Sequence, residues 1–243
     1  MGVIIFNDIS CEDYGIVVEH YPEYQTPDHD YDVIHVPGRN GDIAIDQGSF
    51  QNVDRVYQIA VGSYERKYTE QVNAIAEWLH SPVGYAKLED SYEPEYYRMA
   101  ICTDGFEAEN MSHKLARTTI TFNCKPQRWL KVGSIAVENP MLMKNPTKFP
   151  ASPIIMVYGS GILTFQNDLN DEIYTLTITD NSTGIVINCE VQDVYSALDM
   201  SVNCNNKVSL NGKGFPKLLS GDTSISATGD ISKVEVIPKW WTV

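Results

Sequence analysis

Basic residues are scarce in this chain: 18 Lys and Arg stand against 32 Asp and Glu, a formal net charge of −14. A protein that reads nucleic acid needs a cationic patch to neutralise phosphates. No stretch supplies one, which argues against sequence-specific nucleic-acid binding. Long apolar runs are also missing. None approaches the roughly 18 residues that would span a bilayer, so no membrane insertion is expected. Residues 1–8 have no basic segment leading into an apolar core, so they do not read as a secretory leader. Cysteine is sparse, odd in number and scattered: Cys11, Cys102, Cys124, Cys189 and Cys204 form no CxxC pair. That scatter suits a reducing cytoplasm and is compatible with one disulfide at most. Cys124 and Cys189 fall on apolar strand faces, where a free thiol acts as a small hydrophobe.

Signatures of chemistry are equally thin. All five histidines precede residue 114, and none sits in a recognisable catalytic pattern. Gly159-Ser160-Gly161 lacks the G-x-S-x-G spacing of a nucleophile elbow and reads as a hairpin turn. His20, His29, Asp28, Asp30 and Asp32 mix imidazole with carboxylate, as metal sites do. They share no fixed spacing, however, and Pro22 and Pro27 point to a solvated acidic arm. Asp168, Asn170, Asp171 and Glu172 are a fragment of a calcium loop, without its central glycine or distal glutamate, and read as a turn. The expectation is no enzyme, no metal and no cofactor.

What the chain does have is strand rhythm and one helix. From about Arg66 to His80, Tyr68, Val72, Ile75, Ala76 and Leu79 recur at helical spacing on one face. Ser81-Pro82 and Gly84 end that stretch. Asp54–Val61 reads as a strand before it. In Leu115–Cys124, Ala116, Thr118, Ile120, Phe122 and Cys124 alternate with polar residues, the pattern of a half-buried strand. Between 138 and 153, Pro140, Pro146, Pro150 and Pro153 mark a boundary or crossover. Residues 1–132 are therefore expected to be one domain, 133–152 a connector and 153–243 a second domain. Beyond the connector, short alternating strands recur between turns, as in a β-sandwich. In one, Tyr174, Leu176 and Ile178 face one way. Residues 233–243 either complete this second sandwich or return to the first.

The charge is concentrated in the first part: residues 1–132 hold 11 Lys/Arg against 21 Asp/Glu, a balance of −10. Fourteen tyrosines crowd mainly into that part too, and a ring with a polar tip suits interfaces as well as core edges. Tyr21, Tyr24 and Tyr31 are the candidates for contact with another subunit. Trp240 and Trp241 alternate, so at most one of them faces a core.

The order of several motifs resembles the distal tail protein family of long-tailed, non-contractile bacteriophages of Gram-positive hosts. They are Phe6–Ser10, Asp13–Val17, the turn Val36-Pro37-Gly38-Arg39-Asn40-Gly41-Asp42-Ile43, the strand Arg55–Val61, and the single helix. After it come Tyr85–Asp90, Tyr96–Ala100, Arg117–Leu130, Asn139-Pro140, Pro153–Gly159 and Pro238–Val243. The resemblance implies a mainly β protein. Its N-terminal β-sandwich, carrying one helix, would close into a homohexameric ring. Its C-terminal β-sandwich would be like those of galectins or carbohydrate-binding modules. It also implies a place at the virion tail tip after synthesis in the host cytoplasm. The partners would be the tail-tube protein, the tail-tip or tail-lysin protein, the tape measure and, in some phages, the receptor-binding protein. On this view Tyr21, Tyr24, Tyr31, Arg39, Asn40 and Asp42 are candidate interface residues. A second possibility is host attachment by sugar binding through the C-terminal domain, with Tyr158, Tyr174, Tyr195, Trp240 or Trp241 stacking on a sugar face.

Overall fold

The computed structural model describes residues 2–62, 68–105, 109–112, 115–169, 172–179 and 181–243. Arg66 and Lys67 at the expected helix start, His113, Asn170 and Asp171 lie outside the described residues. The fold is mainly β, and the chain forms two compact units, Met1–Arg128 with Val243, and Trp129–Thr242.

In the first unit the strands are β1 (Ile4–Phe6), β2 (Ile9–Ser10), β3 (Ile16–Val18), β4 (His29–Ile34), β5 (Ile43–Phe50) and β6 (Val53–Gly62), then α1 (Tyr68–His80). After the helix come β7 (Ala86–Asp90), β8 (Tyr96–Ile101), β9 (Glu109–Ser112) and β10 (Leu115–Cys124). The main sheet runs β2-β1-β7-β8-β10-β6-β3, with β9 paired to β10. Alternation along β10 is as the pattern predicts: Ala116, Ile120, Phe122 and Cys124 are buried and Arg117 and Thr119 exposed. Phe122 packs against Phe6 at 4.8 Å between ring centroids and against Tyr57 at 6.0 Å.

The helix buries a face centred on Gln71, Ile75, Trp78 and Leu79, while Val72 and Ala76 are only half-buried. Trp78 stacks on Tyr14 at 5.1 Å and donates its indole N–H to the Phe6 carbonyl at 3.1 Å. Gln71 Nε2 donates to the carbonyls of Tyr14 (2.6 Å) and Gly62 (3.0 Å). Each large apolar side chain buried here contributes about 1.5–3 kcal/mol. The helix is therefore held by packing and by two hydrogen bonds from the Gln71 side chain to backbone carbonyls.

The second unit contains the Trp129–Leu130 part of β11 (Arg128–Leu130), then β12 (Val137–Glu138), β13 (Leu142–Asn145), β14 (Ile154–Asn167) and β15 (Ile173–Ile178). The rest are β16 (Ile185–Asn188), β17 (Asp193–Ser196), β18 (Val208–Leu210), β19 (Gly221–Ile237) and β20 (Trp241–Thr242). The proline-rich stretch is not a bare connector. Its prolines fall between β12, β13 and β14, and the two short strands pair with opposite ends of β19, Val137↔Val236 and Leu142↔Ser224. Asn145, 3% exposed, replaces the missing ladder bonds there. It donates to the carbonyls of Phe149 and Leu218 and accepts from Thr147.

Gly159-Ser160-Gly161 is not a hairpin turn. β14 runs through it, and its pairing with β19 shifts register between Tyr158 and Gly159. The N-terminal half of β14 then pairs with β16 and the C-terminal half with β15. Ile155 and Val157 from one half and Leu163 and Phe165 from the other enter a single core. The close approach explains the glycines. A Cβ on Gly159 would lie 2.1 Å from the Asp230 carbonyl oxygen, and one on Gly161 would lie 2.0 Å from that of Thr228. A bulge of this kind raises local twist and bends a long strand, so one curled sheet supplies both layers.

Candidate functional site

Residues 19–50 leave the main sheet of the first unit as an arm with a root and a ribbon. At the root, Arg55 Nη1 donates to the Glu23 carbonyl at 3.1 Å. Tyr21 packs edge-on against Tyr92 at 4.4 Å, and Tyr24 lies under the Arg128 guanidinium at 5.0 Å. Glu19 Oε1 accepts from Arg117 Nε at 2.8 Å. The arm is thus tied down through residue 24, unlike the freely solvated loop expected from its prolines.

The tie rests on a buried charge network. Arg55 Nη2 meets Asp90 Oδ2 at 3.2 Å and Glu93 Oε2 at 3.4 Å. Glu93 also takes Arg98 Nη2 at 3.2 Å and Arg128 Nη1 at 2.6 Å. Tyr57 donates its hydroxyl to Asp90 Oδ2 at 2.6 Å. Burial, with Asp90 beside it, pushes the Tyr57 phenol well above its ordinary range. Burial opposes the charge on Arg55, but Tyr57, Asp90 and Glu93 outweigh it and raise its pKa. Arg128 Nη2 also donates to the Val243 carbonyl at 2.8 Å. Among the described residues these groups pair with one another, except that the buried Arg128 Nε has no partner, so the network positions backbone and rings. Sequence reasoning missed it because Arg55 and Arg98 sit at inward positions of strands with no local signature.

Past the root, β4 and β5 pair, among the described residues, only with each other, Asp32↔Ile45 and Ile34↔Ile43 among them, in a two-stranded sheet apart from the main one. The ribbon is stitched across by His29 Nε2 and Asp46 Oδ1 at 3.0 Å and by His35 Nδ1 and Asp42 Oδ1 at 2.9 Å. Its ends meet where Gln51 N–H donates to the Asp28 carbonyl at 2.9 Å. Tyr31, Val33, Ile34 and Ile45 are all exposed, Val33 at 64%. An isolated two-stranded ribbon is marginal in water, and among the described residues this one contributes none to either buried core. The candidate interface residues therefore divide. Arg39, Asn40 and Asp42 share the exposed ribbon tip, Tyr31 lies on the ribbon, and Tyr21 and Tyr24 belong to the root.

The candidate sugar-stacking residues do not gather. Tyr174 and Trp240 are each only 6% exposed, which leaves no ring face for a sugar and removes both from that set. Tyr174 donates its hydroxyl to Glu172 Oε1 at 2.9 Å, and burial, then Glu172, pushes its pKa to about 12. Trp241 stacks on Phe149 at 4.6 Å and donates to the Pro150 carbonyl. Tyr158 and Tyr195 are half-buried. All five cysteines are free thiols, and among the described residues no group of three or more His, Cys, Asp or Glu is placed to hold a metal ion.

The same fold is found in solved structures of phage proteins. The Dit protein (gp 19.1) of phage SPP1, described as a paradigm of the hub adsorption apparatus in phages infecting Gram-positive hosts, shares this fold, with a TM-score of 0.75 at 11% identity and 100% of both chains covered. Chains of the phage P2 baseplate in its activated conformation also match. The calcium form gives a TM-score of 0.54 at 9% identity, covering 97% of both chains. The strontium form gives 0.53 at 10% identity, covering 97% of this chain and 96% of that one. No protein-family model and no curated protein matches the sequence.

Proposed function

We propose that this chain is a structural hub of a phage tail tip, a homohexameric ring joining the tail tube to the tip or baseplate proteins. One observation carries the proposal. A ribbon of 22 residues, 29–50, exposes apolar side chains and, among the described residues, adds none to either buried core, within a fold shared end to end with a phage hub. Heterologous contacts whose rotation closes make rings, and an arm reaching onto the next copy is such a contact. The first unit's surplus of acid leaves a channel that repels passing DNA. A solved assembly with a net positive channel lining would remove that part. The role is scaffolding rather than bond-making, with the tail-tube protein, the tail-tip or tail-lysin protein, the tape measure and a receptor-binding protein as candidate neighbours at the virion tail tip.

The test uses the ribbon's closed base. Because Gln51 N and Asp28 O meet, residues 29–50 can be replaced by a short glycine bridge without reshaping the sheet. Light scattering should give a hexamer mass for the intact chain and a monomer mass for the excised one, with both melting cooperatively. Equal masses would refute assembly through the arm.

A further inference from the structure

β6 is covered along its whole length by β10, but β3 covers it on the other side only from Ile59 to Val61. One more bond, Glu19 N–H to the Gln58 carbonyl at 2.9 Å, extends that ladder. The chain then lifts away through Pro22, which has no N–H to give. Among the described residues no strand pairs with Val53–Tyr57 on this side. The Gln58 carbonyl points toward it, so by antiparallel alternation the N–H and C=O of Val56 and Asp54 point the same way. A groove of about 220 Å³ lies there, between these residues and Tyr21, Glu23 and Gln25 of the arm root.

The groove has a sign. Glu23 and Asp54 are both exposed. Asp54 accepts from Asn123 Nδ2 at 2.9 Å, and neither carboxylate has an ion-pair partner among the described residues. His20 also lines the groove, and Glu19 beside it in the chain is already paired with Arg117. The ribbon of a second copy fits poorly here, because residues 29–50 carry Asp30, Asp32, Asp42 and Asp46 against Arg39 alone.

We propose that this edge takes an extended, lysine- or arginine-bearing segment of a different polypeptide as an added strand, with Val56 and Asp54 supplying the main-chain bonds and Glu23 and Asp54 selecting positive charge. Strand addition draws affinity from the backbone and specificity from the flanking side chains. The open stretch, about 17 Å at roughly 3.4 Å per residue, is long enough for one short strand. The proposal goes beyond ring formation: it concerns the groove at the arm root, and the mass of the same sample reports the ring separately.

The probes are synthetic strand peptides of about nine residues, alternating threonine and valine, with lysine or glutamate at the same positions. A third is the lysine peptide N-methylated at alternate amides. In calorimetry against the full chain, the lysine peptide should bind saturably and the glutamate peptide should not. N-methylation should weaken binding by about ten-fold or more, by removing main-chain donors. The double variant Glu23→Gln/Asp54→Asn should melt as the parent does and bind the lysine peptide about five-fold more weakly. Equal binding of the lysine and glutamate peptides would overturn the proposal. So would no effect of N-methylation, or no binding of the lysine peptide at about millimolar concentration. A double variant that gained self-association would identify a second copy as the occupant and overturn it too.

Discussion

Arg55 holds Glu23 by its backbone: the guanidinium Nη1, rooted in the main sheet, donates to the Glu23 carbonyl oxygen at 3.1 Å. The position of the arm is thereby tied to a buried ionic network. The other nitrogens of Arg55 face Asp90, Glu93 and Tyr57.

Replacing Arg55 with methionine leaves Asp90 and Glu93 short of a cation in a buried site. Removing one partner of such a pair costs about 3–5 kcal/mol. The urea midpoint should fall accordingly, and residues 19–28 should become the first site of protease cleavage. An unchanged midpoint would mean that the network is not buried as described.

Ile75 is fully buried and Val72 only half-buried, so aspartate at the two positions should behave differently. Ile75→Asp should cost several kcal/mol and abolish cooperative melting. Val72→Asp should leave a folded chain with a lowered melting temperature. Equal effects in circular dichroism melts would contradict the helix orientation.

Gly159→Ala should destabilise the second unit by about 3 kcal/mol, because its Cβ would meet the Asp230 carbonyl and its φ of +99° disfavours a side chain. Gly38→Ala in the ribbon turn meets nothing within 4 Å, and its φ of +82° should cost only about 1 kcal/mol. Denaturant titration of the two variants compares them directly.

Much of this was readable along the chain because local alternation reports burial. Ala116, Ile120 and Phe122 on β10 and Tyr174, Leu176 and Ile178 on β15 face inward as their spacing predicts. The helix was legible in kind, but its buried face was not. Apolar periodicity gives weight to Val72 and none to Gln71, whose buried amide donates to two backbone carbonyls. The Gly159–Gly161 stretch misled because two glycines look like a turn, and only pairing with β19 some 70 residues away reveals a continuous bent strand. The arm's composition gave its exposure. Its anchor on Arg55 came from residues 32 positions apart, a separation no local pattern encodes.

Alkaline conditions should loosen the first unit. Burial pushes the Cys124 thiol from 9.0 up to about 12. A pKa raised in the folded state means that the stabilisation is whole below the unfolded value and is lost as pH rises through the folded one. Melting temperature should therefore decline from about pH 9 toward about pH 12, and less steeply in Cys124→Ala. Ellman's reagent at about pH 8 should leave Cys124 unreacted until the chain is unfolded. Prompt reaction of Cys124 in the folded state would contradict its burial.

Electron micrographs of the purified, intact chain probe the ring itself. Class averages should show a closed six-fold ring with an open centre, its subunits bridged by the 29–50 ribbons. Averages showing only single particles of monomer size, at concentrations where the chain is fully folded, would contradict it.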